Sequence, residues 1–146
     1  MKLYPPLMVL LGLIIQGAIA FFAPIEPLLL PLWQYSGIGL MLLAFGTIVY
    51  MARGFSKNQT TILPDGEPSQ LLESGLFRLS RNPIYVAMAL LLTGSGLAFG
   101  HLLTLLVVPV FILLVQQIWI VKEEENLEAA FGQHYRNYKM RVRRWL

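Results

Sequence analysis

Side chains with an evident chemical use are concentrated at two places in this sequence, each next to a long apolar run. At the first, LFRLSRNPIYVAM, the residues Arg78, Arg81 and Asn82 stand directly before Pro83. At the second, an apolar run ends in three consecutive glutamates, residues 123–125. Guanidinium groups bind carboxylates and phosphates, and carboxylates bind ammonium groups. Together the two clusters suit either a salt bridge between helices or a ligand that carries both signs of charge.

The dipeptide Asn82-Pro83 predicts the start of a helix. Asparagine is a favoured N-cap residue, and proline is favoured at the first helical position. The first turn of a helix presents unpaired N–H groups, so a helix starting beside Arg78 and Arg81 suits an anionic group. The same residues also fit a simpler interpretation without function, a capped membrane helix flanked by interfacial arginines.

Four apolar runs must position these clusters. A helix needs about 20 residues to cross a hydrocarbon layer of roughly 30 Å, and residues 4–23, 32–51, 84–99 and 102–121 fit that length, the third only narrowly. Hydrophobic residues make up 56% of the chain and charged residues 13%, about half the charged share of soluble proteins. The sequence predicts an all-α integral membrane protein with four transmembrane helices, the last two forming a tight hairpin.

The distribution of bases predicts an orientation. Lys and Arg occur before the first apolar run, between the second and third, and after the fourth, whereas the other two connections have none. The positive-inside rule therefore places both termini and the middle loop in the cytoplasm, as expected for a bacterial-type inner membrane protein. The 146 residues form one membrane domain, with two spans in 1–51, a loop in 52–82, and a hairpin and C-terminal helix in 83–146.

The segment after the fourth run has the pattern of an amphipathic helix. Its apolar residues recur at steps of three and four, as on one face of a helix: Leu127, Phe131, Tyr135, Tyr138, Val142 and Trp145. Such a helix can lie on a membrane surface, and Gly132 is a candidate break. His134 is interpreted as a solvated histidine, since no metal-ligand spacing surrounds it. The chain has no cysteine, and its bases adjoin apolar runs, so neither thiol chemistry nor nucleic-acid binding is predicted.

Two blocks, 75–85 and 123–142, resemble those of the isoprenylcysteine carboxyl methyltransferase and phospholipid methyltransferase superfamily of membrane enzymes. The first is SGLFRLSRNPIY with its flanking residues, and the second is EEENLEAAFGQHYRNYKMRV. The resemblance covers roughly the last half of the chain. It implies that S-adenosylmethionine is the methyl donor, bound at the cytoplasmic end of the hairpin. It also implies a lipophilic acceptor that enters from the bilayer, with a carboxylate acceptor favoured.

The resemblance also implies roles for individual residues. The expected cofactor-binding residues are Arg78, Arg81, Asn82, Tyr85, Gly94, Gly96, Glu123, Glu124 and Tyr135. The expected catalytic residues are Arg141, Tyr85 and Tyr138. Glu124 is the leading cofactor contact, Arg141 the leading catalytic candidate beside an acceptor carboxylate, and Asn82 stands where many members have a histidine.

Other functions remain open at this stage. A lipid- or sterol-type reductase using NADPH has a similar Arg-His-Pro-x-Tyr signature, and a small membrane scaffold would need no ligand at all. If the acceptor is an amine or a thiol, a general base is required, and Tyr135, Tyr138 or a glutamate would serve. Membrane lipids are expected partners, while the identity of the acceptor and the oligomeric state are not fixed by the sequence.

Overall fold

The computed structural model describes residues 4–22, 30–57 and 70–146, and within these ranges every regular element is helical. The helices are α1 (Pro5–Phe22), α2 (Pro31–Lys57), α3 (Pro83–Phe99), α4 (Leu102–Phe131) and α5 (Gln133–Arg141), and a 3-10 turn, Gly75–Arg78, precedes α3. The all-α class predicted from the sequence is confirmed. Residues 58–69 of the predicted middle loop lie outside the described residues.

Three of these helices, α1, α2 and α4, are long and apolar enough to cross a membrane. Helix α3 is apolar but has 17 residues, which at 1.5 Å per residue gives about 26 Å. Where the sequence predicted four spans, the described part of the chain therefore has three of sufficient length and one shorter apolar helix. Helix α3 packs against the other three, and its Tyr85, Ala87 and Leu92 are buried.

Close contact between α2 and α3 depends on glycine. A Cβ atom added to Gly94 would lie 2.7 Å from the carbonyl oxygen of Gly37 and 2.8 Å from the backbone nitrogen of Met41. Small residues at such a crossing let two backbones approach within van der Waals contact. Gly94 is therefore part of a helix–helix contact. Gly96 faces the other side, where an added Cβ would lie 2.7 Å from the side chain of Leu105.

A buried glutamine ties α1 to the hairpin. The side-chain amide of Gln16 donates to the carbonyl oxygens of Leu92, at 2.8 Å, and of Thr104, at 3.0 Å. The hydroxyl of Thr104 in turn donates to the carbonyl oxygen of Gly96 at 3.0 Å. These bonds pair the N–H groups of the Gln16 amide at a place with little access to water, while its Oε1 is buried without a hydrogen-bond partner among the described residues. They fix the turn between α3 and α4, where Gly100 has φ of 78° as the predicted tight turn requires.

Helix α4 changes its winding along its length. It starts as the 3-10 turn Leu102–Leu106, continues as the α-helix Val107–Val115, widens to the π-helix Gln116–Ile120, and returns to the α-helix Val121–Phe131. The glutamates therefore lie within a continuing helix, which removes the unfavourable position at a helix C-terminus. The helix ends at Gly132, whose φ is +51°, so the predicted C-terminal helix is divided at that glycine.

Candidate functional site

The start of α3 and the second half of α4 meet at the end of the helix bundle where the basic residues lie. The hydroxyl of Tyr85 donates to Oε1 of Glu123 at 2.6 Å. One residue further, Nη1 of Arg81 lies 3.1 Å from Oε1 of Glu124, and only 5% of Glu124 is exposed. The hairpin thus brings the arginine and glutamate clusters together, as predicted. Single-turn π segments are common near functional sites, and the one in α4 ends just before these acids.

A second arginine, which the sequence did not single out, shares Glu124 with Arg81. Nε and Nη2 of Arg144 donate to the two oxygens of Glu124 at 3.1 and 2.7 Å, which is the bidentate geometry of a strong charge-assisted pair. Helix α5 ends at Arg141, and Val142 is extended, with φ of −124° and ψ of 132°. This change of direction returns Arg144 to the bundle. The sequence showed three arginines close together but not which of them turns inward.

The backbone of this returning segment is held by the residues before α3. The amide of Arg81 donates to the carbonyl oxygen of Arg143 at 2.9 Å. The hydroxyl of Ser80 and the side-chain amide of Asn82 both donate to the carbonyl oxygen of Arg144, at 3.1 and 3.0 Å. Helix α3 starts at Pro83 as predicted, but the Asn82 side chain makes no capping hydrogen bond to it. The prediction of a side-chain cap is wrong: the side chain is oriented so that its Nδ2 donates to the returning segment, and its Oδ1 does not accept from the first turn of α3.

Two buried tyrosines line the same region from α5. Tyr135 is 1% exposed and Tyr138 is 3% exposed, and the hydroxyl of Tyr138 donates to the carbonyl oxygen of Phe77 at 2.7 Å. Burial, and secondarily the negative charge of Glu124, raises the pKa of Tyr135 to about 12. Burial likewise raises the pKa of Tyr138 to about 12. Both phenols keep their protons at neutral pH and so do not act there as bases.

A polar cleft of about 640 Å³ lies on the outer side of Tyr138. Its walls are the segment 70–74 together with Arg78, Tyr138, Arg141 and Val142. Nη2 of Arg141 lies 2.9 Å from one oxygen of Glu73, and Nε2 of His134 lies 2.6 Å from the other. The exposed His134 thus pairs with an acid, and Glu73 joins the segment before α3 to helix α5.

The structure therefore separates the predicted site residues into three groups. The first surrounds the acids at the helix junction: Arg81, Tyr85, Glu123, Glu124 and Tyr135. The second surrounds the polar cleft: Arg78, Tyr138 and Arg141. The third consists of Gly94 and Gly96, which lie in contacts between helices. Asn82 belongs to none of these groups, since its side chain binds the returning segment.

Comparison with known proteins identifies the family. The family model described as phospholipid methyltransferase matches residues 32–134, more than half of the chain. The chain belongs to the phospholipid methyltransferase family. This match confirms the superfamily predicted from the two sequence blocks, and the activity typical of phospholipid methyltransferases is methyl transfer.

The matched range places α2, α3 and α4, with Tyr85, Glu123 and Glu124, inside the phospholipid methyltransferase region. Tyr135, Tyr138 and Arg144 follow that region. The chain is also similar to an uncharacterized protein of Haemophilus influenzae, which is 44% identical over 63 residues, or 43% of this chain and the whole of that protein. No solved structure matches the chain.

Proposed function

We propose that this protein transfers a methyl group from S-adenosylmethionine to a lipophilic acceptor at the cytoplasmic face of the membrane. The observation that carries the proposal is the junction of α3 and α4, where Tyr85, Glu123, Glu124 and Arg81 come together in a chain of the phospholipid methyltransferase family. When bound, the donor supplies an electrophilic methyl group. The protein supplies the groups that hold the donor and the acceptor in line.

The side chains at this junction fit the charges of the donor. Oε1 of Glu123 accepts the Tyr85 hydroxyl, and its second oxygen can accept from an ammonium group or a ribose hydroxyl. Glu124, by contrast, already holds two guanidinium groups. We therefore assign direct contact with the donor to Glu123, with Tyr85 orienting its carboxylate. Glu124 becomes a residue that positions arginines.

The polar cleft fits the reactive end of the acceptor. Arg78, Arg141 and Glu73 line it; Glu73 is paired with Arg141, so one positive charge is in excess and the cleft suits an anionic group such as a carboxylate. A carboxylate oxygen is a nucleophile without loss of a proton, and the two nearby tyrosines, with pKa about 12, do not serve as bases at neutral pH. Glu73, the glutamate that lines the cleft, is paired with Arg141 and His134, and together these facts support a carboxylate acceptor over an amine or a thiol.

An apolar groove next to the cleft suits the lipophilic part of the acceptor. The groove is about 540 Å³ in volume and runs from helix α2 to the 3-10 turn before α3. It is lined by Leu42, Leu43, Gly46, Thr47, Tyr50, Gly75 and Leu76. Gly75 is the chain neighbour of Ser74, which lines the polar cleft, so the groove and the cleft adjoin along the segment before α3. An amphiphilic acceptor could occupy both from the side of the bilayer.

Binding of S-adenosylhomocysteine tests the proposal. Full-length protein purified in detergent should unfold at a higher temperature with S-adenosylhomocysteine, and NADPH should give no such shift. Glu123→Gln should weaken binding about tenfold because it removes a charged hydrogen bond. The exposed neighbour Glu125→Gln should not. Absence of binding at millimolar S-adenosylhomocysteine would overturn the proposal, and a shift with NADPH alone would favour a reductase.

A further inference from the structure

Arg144 has a place in the site that none of the sequence blocks assigns. We propose that Arg144 binds the carboxylate of the methyl donor's amino-acid group, and that Glu124 is the positioning residue that aims it. This inference rests on the proposed use of S-adenosylmethionine. It adds a residue beyond the matched region 32–134 to the binding site.

The geometry at Glu124 supports this division of roles. Both oxygens of Glu124 accept from Arg144, at 3.1 and 2.7 Å, and Arg81 lies 3.1 Å from the first of them. Three contacts with guanidinium groups therefore take up most of the acceptor capacity of Glu124. The guanidinium fork, with five N–H donors, keeps donors available after it has bound one carboxylate.

The charges of these side chains also support the binding of a carboxylate at Arg144. Arg81 and Arg144 place two positive charges on Glu124, so this group of three carries one excess positive charge, while the neighbouring acid Glu123 is turned to the Tyr85 hydroxyl instead. The side chains of Arg81 and Glu124 are 10% and 7% exposed, while that of Arg144 is 34% exposed. Of the two guanidinium groups, that of Arg144 is therefore the more accessible to a ligand, while Nε and Nη1 of Arg81 are buried without a hydrogen-bond partner among the described residues. A partly desolvated, unbalanced cation is unfavourable without a counter-ion, so an anionic ligand is favoured at this position.

The position of Arg144 is fixed before any ligand arrives. Its carbonyl oxygen accepts from Ser80 and Asn82 at 3.1 and 3.0 Å, and the next residue, Trp145, donates its indole N–H to Gln116 at 2.9 Å. The backbone is held on one side and the guanidinium on the other. Such preorganisation lowers the entropy that binding would otherwise lose.

Two ligands separate this role from a purely structural one. S-adenosylhomocysteine carries the amino-acid carboxylate, whereas 5′-methylthioadenosine keeps the nucleoside and lacks that group. Arg144→Ala in the full chain should lower affinity for S-adenosylhomocysteine about tenfold or more, the worth of a hydrogen bond between charged groups. Its affinity for 5′-methylthioadenosine should change less than about twofold. Arg143→Ala, which removes the exposed side chain next to it, should leave both affinities unchanged.

Further variants test the positioning role of Glu124. Glu124→Gln should show the same selective loss for S-adenosylhomocysteine, and combining it with Arg144→Ala should add little, since both changes remove one interaction. Arg144→Lys keeps the positive charge but lacks the planar guanidinium group. It should bind S-adenosylhomocysteine more weakly than the wild-type protein does, with an unchanged affinity for 5′-methylthioadenosine. If Arg144→Ala is too unstable to purify, the ratio of the two affinities in Arg144→Lys decides.

Three results would speak against the assignment in different ways. An equal loss for both ligands would make Arg144 a structural residue only. Tighter binding of S-adenosylhomocysteine by Arg144→Ala would make it a competitor that covers Glu124. If the wild-type protein binds neither ligand, the proposed methyl transfer from S-adenosylmethionine fails, which is distinct from failure of the Arg144 assignment alone.

Discussion

At the scale of single residues, neighbouring acids have different surroundings. Glu123 has one described side-chain partner, the hydroxyl of Tyr85 at 2.6 Å, whereas Glu124 is held by two arginines. Successive residues on a helix point about 100° apart, so two adjacent acids do not have the same neighbours. One acid faces the start of α3 and the other faces the returning segment. This separation allows one carboxylate to meet a ligand while the other keeps the protein's own cations in place.

Tyr85→Phe tests the hydrogen bond to Glu123. The change removes only the hydroxyl, so we expect the fold to survive with a loss of about 1 kcal/mol in the free energy of unfolding. Affinity for S-adenosylhomocysteine should fall several-fold because Glu123 loses its orienting partner. Isothermal titration calorimetry measures the affinity and chemical denaturation the stability. The exposed Tyr35→Phe is the matched control, and an unchanged affinity in Tyr85→Phe would contradict the role given to this pair.

The two buried phenols predict how stability responds to alkaline pH. The pKa of Tyr135 is raised to about 12 in the folded protein, while that of tyrosine in an unfolded chain is about 10. The folded state therefore binds the phenolic proton more tightly than the unfolded state does. This contribution is complete below about pH 10 and is lost as the pH rises towards about 12. The unfolding temperature should fall between about pH 10 and pH 12. In Tyr135→Phe this fall should be shallower. An equally steep fall in the variant would contradict the contribution assigned to Tyr135.

At the scale of the elements, the glycine contact between α2 and α3 sets how closely the site's scaffold can pack. Gly94 and Gly96 were predicted from the resemblance to belong to a cofactor element. Gly94 is surrounded by the backbone of α2 and the side chain of Met41, and Gly96 by the side chains of Leu105, Gln16 and Thr104. We infer that their role is to bring α3 into the centre of the bundle.

Gly94→Ala tests this role. Its Cβ would lie 2.7 Å from a backbone oxygen of α2, so the helices must separate, at a cost of about 1–3 kcal/mol. Thermal unfolding in detergent should show the loss, with affinity for S-adenosylhomocysteine changed little in the folded fraction. Gly39→Ala in helix α2 is the control: its added Cβ would have no atom within 4 Å, so its stability should be unchanged. A variant of normal stability that no longer binds the ligand would restore the cofactor role.

The elements also show which features sequence alone can predict. The start of α3 at Pro83 and the break at Gly132 follow from local backbone chemistry, so both could be read from a few residues. The hydrogen-bond partner of the Asn82 side chain could not be predicted in this way. It is the carbonyl oxygen of Arg144, 62 residues away. The inward turn of Arg144 was equally hidden, because exposed and buried arginines in one basic run look alike in sequence.

At the scale of the whole molecule, helix α1 is joined to the others by a polar contact. Gln16 is completely buried and links α1 to α3 and to the start of α4 through two carbonyl oxygens. In an apolar surrounding, a lost hydrogen bond leaves the partner groups unsatisfied. The sequence predicts apolar helices long enough to cross a membrane. Only their packing shows that Gln16 links α1 to α3 and to the start of α4.

Gln16→Ala should therefore destabilise the bundle without touching the site. We expect a loss of about 1–3 kcal/mol in the free energy of unfolding, measured by chemical denaturation in detergent. The exposed Gln117→Ala on α4 is the control and should be close to neutral. Ligand affinity should be unchanged in the folded variant. A stable Gln16→Ala protein would mean that apolar packing alone positions α1.

The return of residues 143–145 to the start of α3 has a consequence for the order in which the protein matures. Its hydrogen bonds join residues 62 and 64 positions apart, and the segment can dock only after synthesis has passed all of the apolar helices. Without this segment, Arg81 is the one cationic partner of Glu124 that remains among the described contacts. Docking adds the second guanidinium and changes the electrical character of the pocket in one step. If Arg144 binds the donor carboxylate as proposed, that site is therefore complete only after the C-terminal segment has docked.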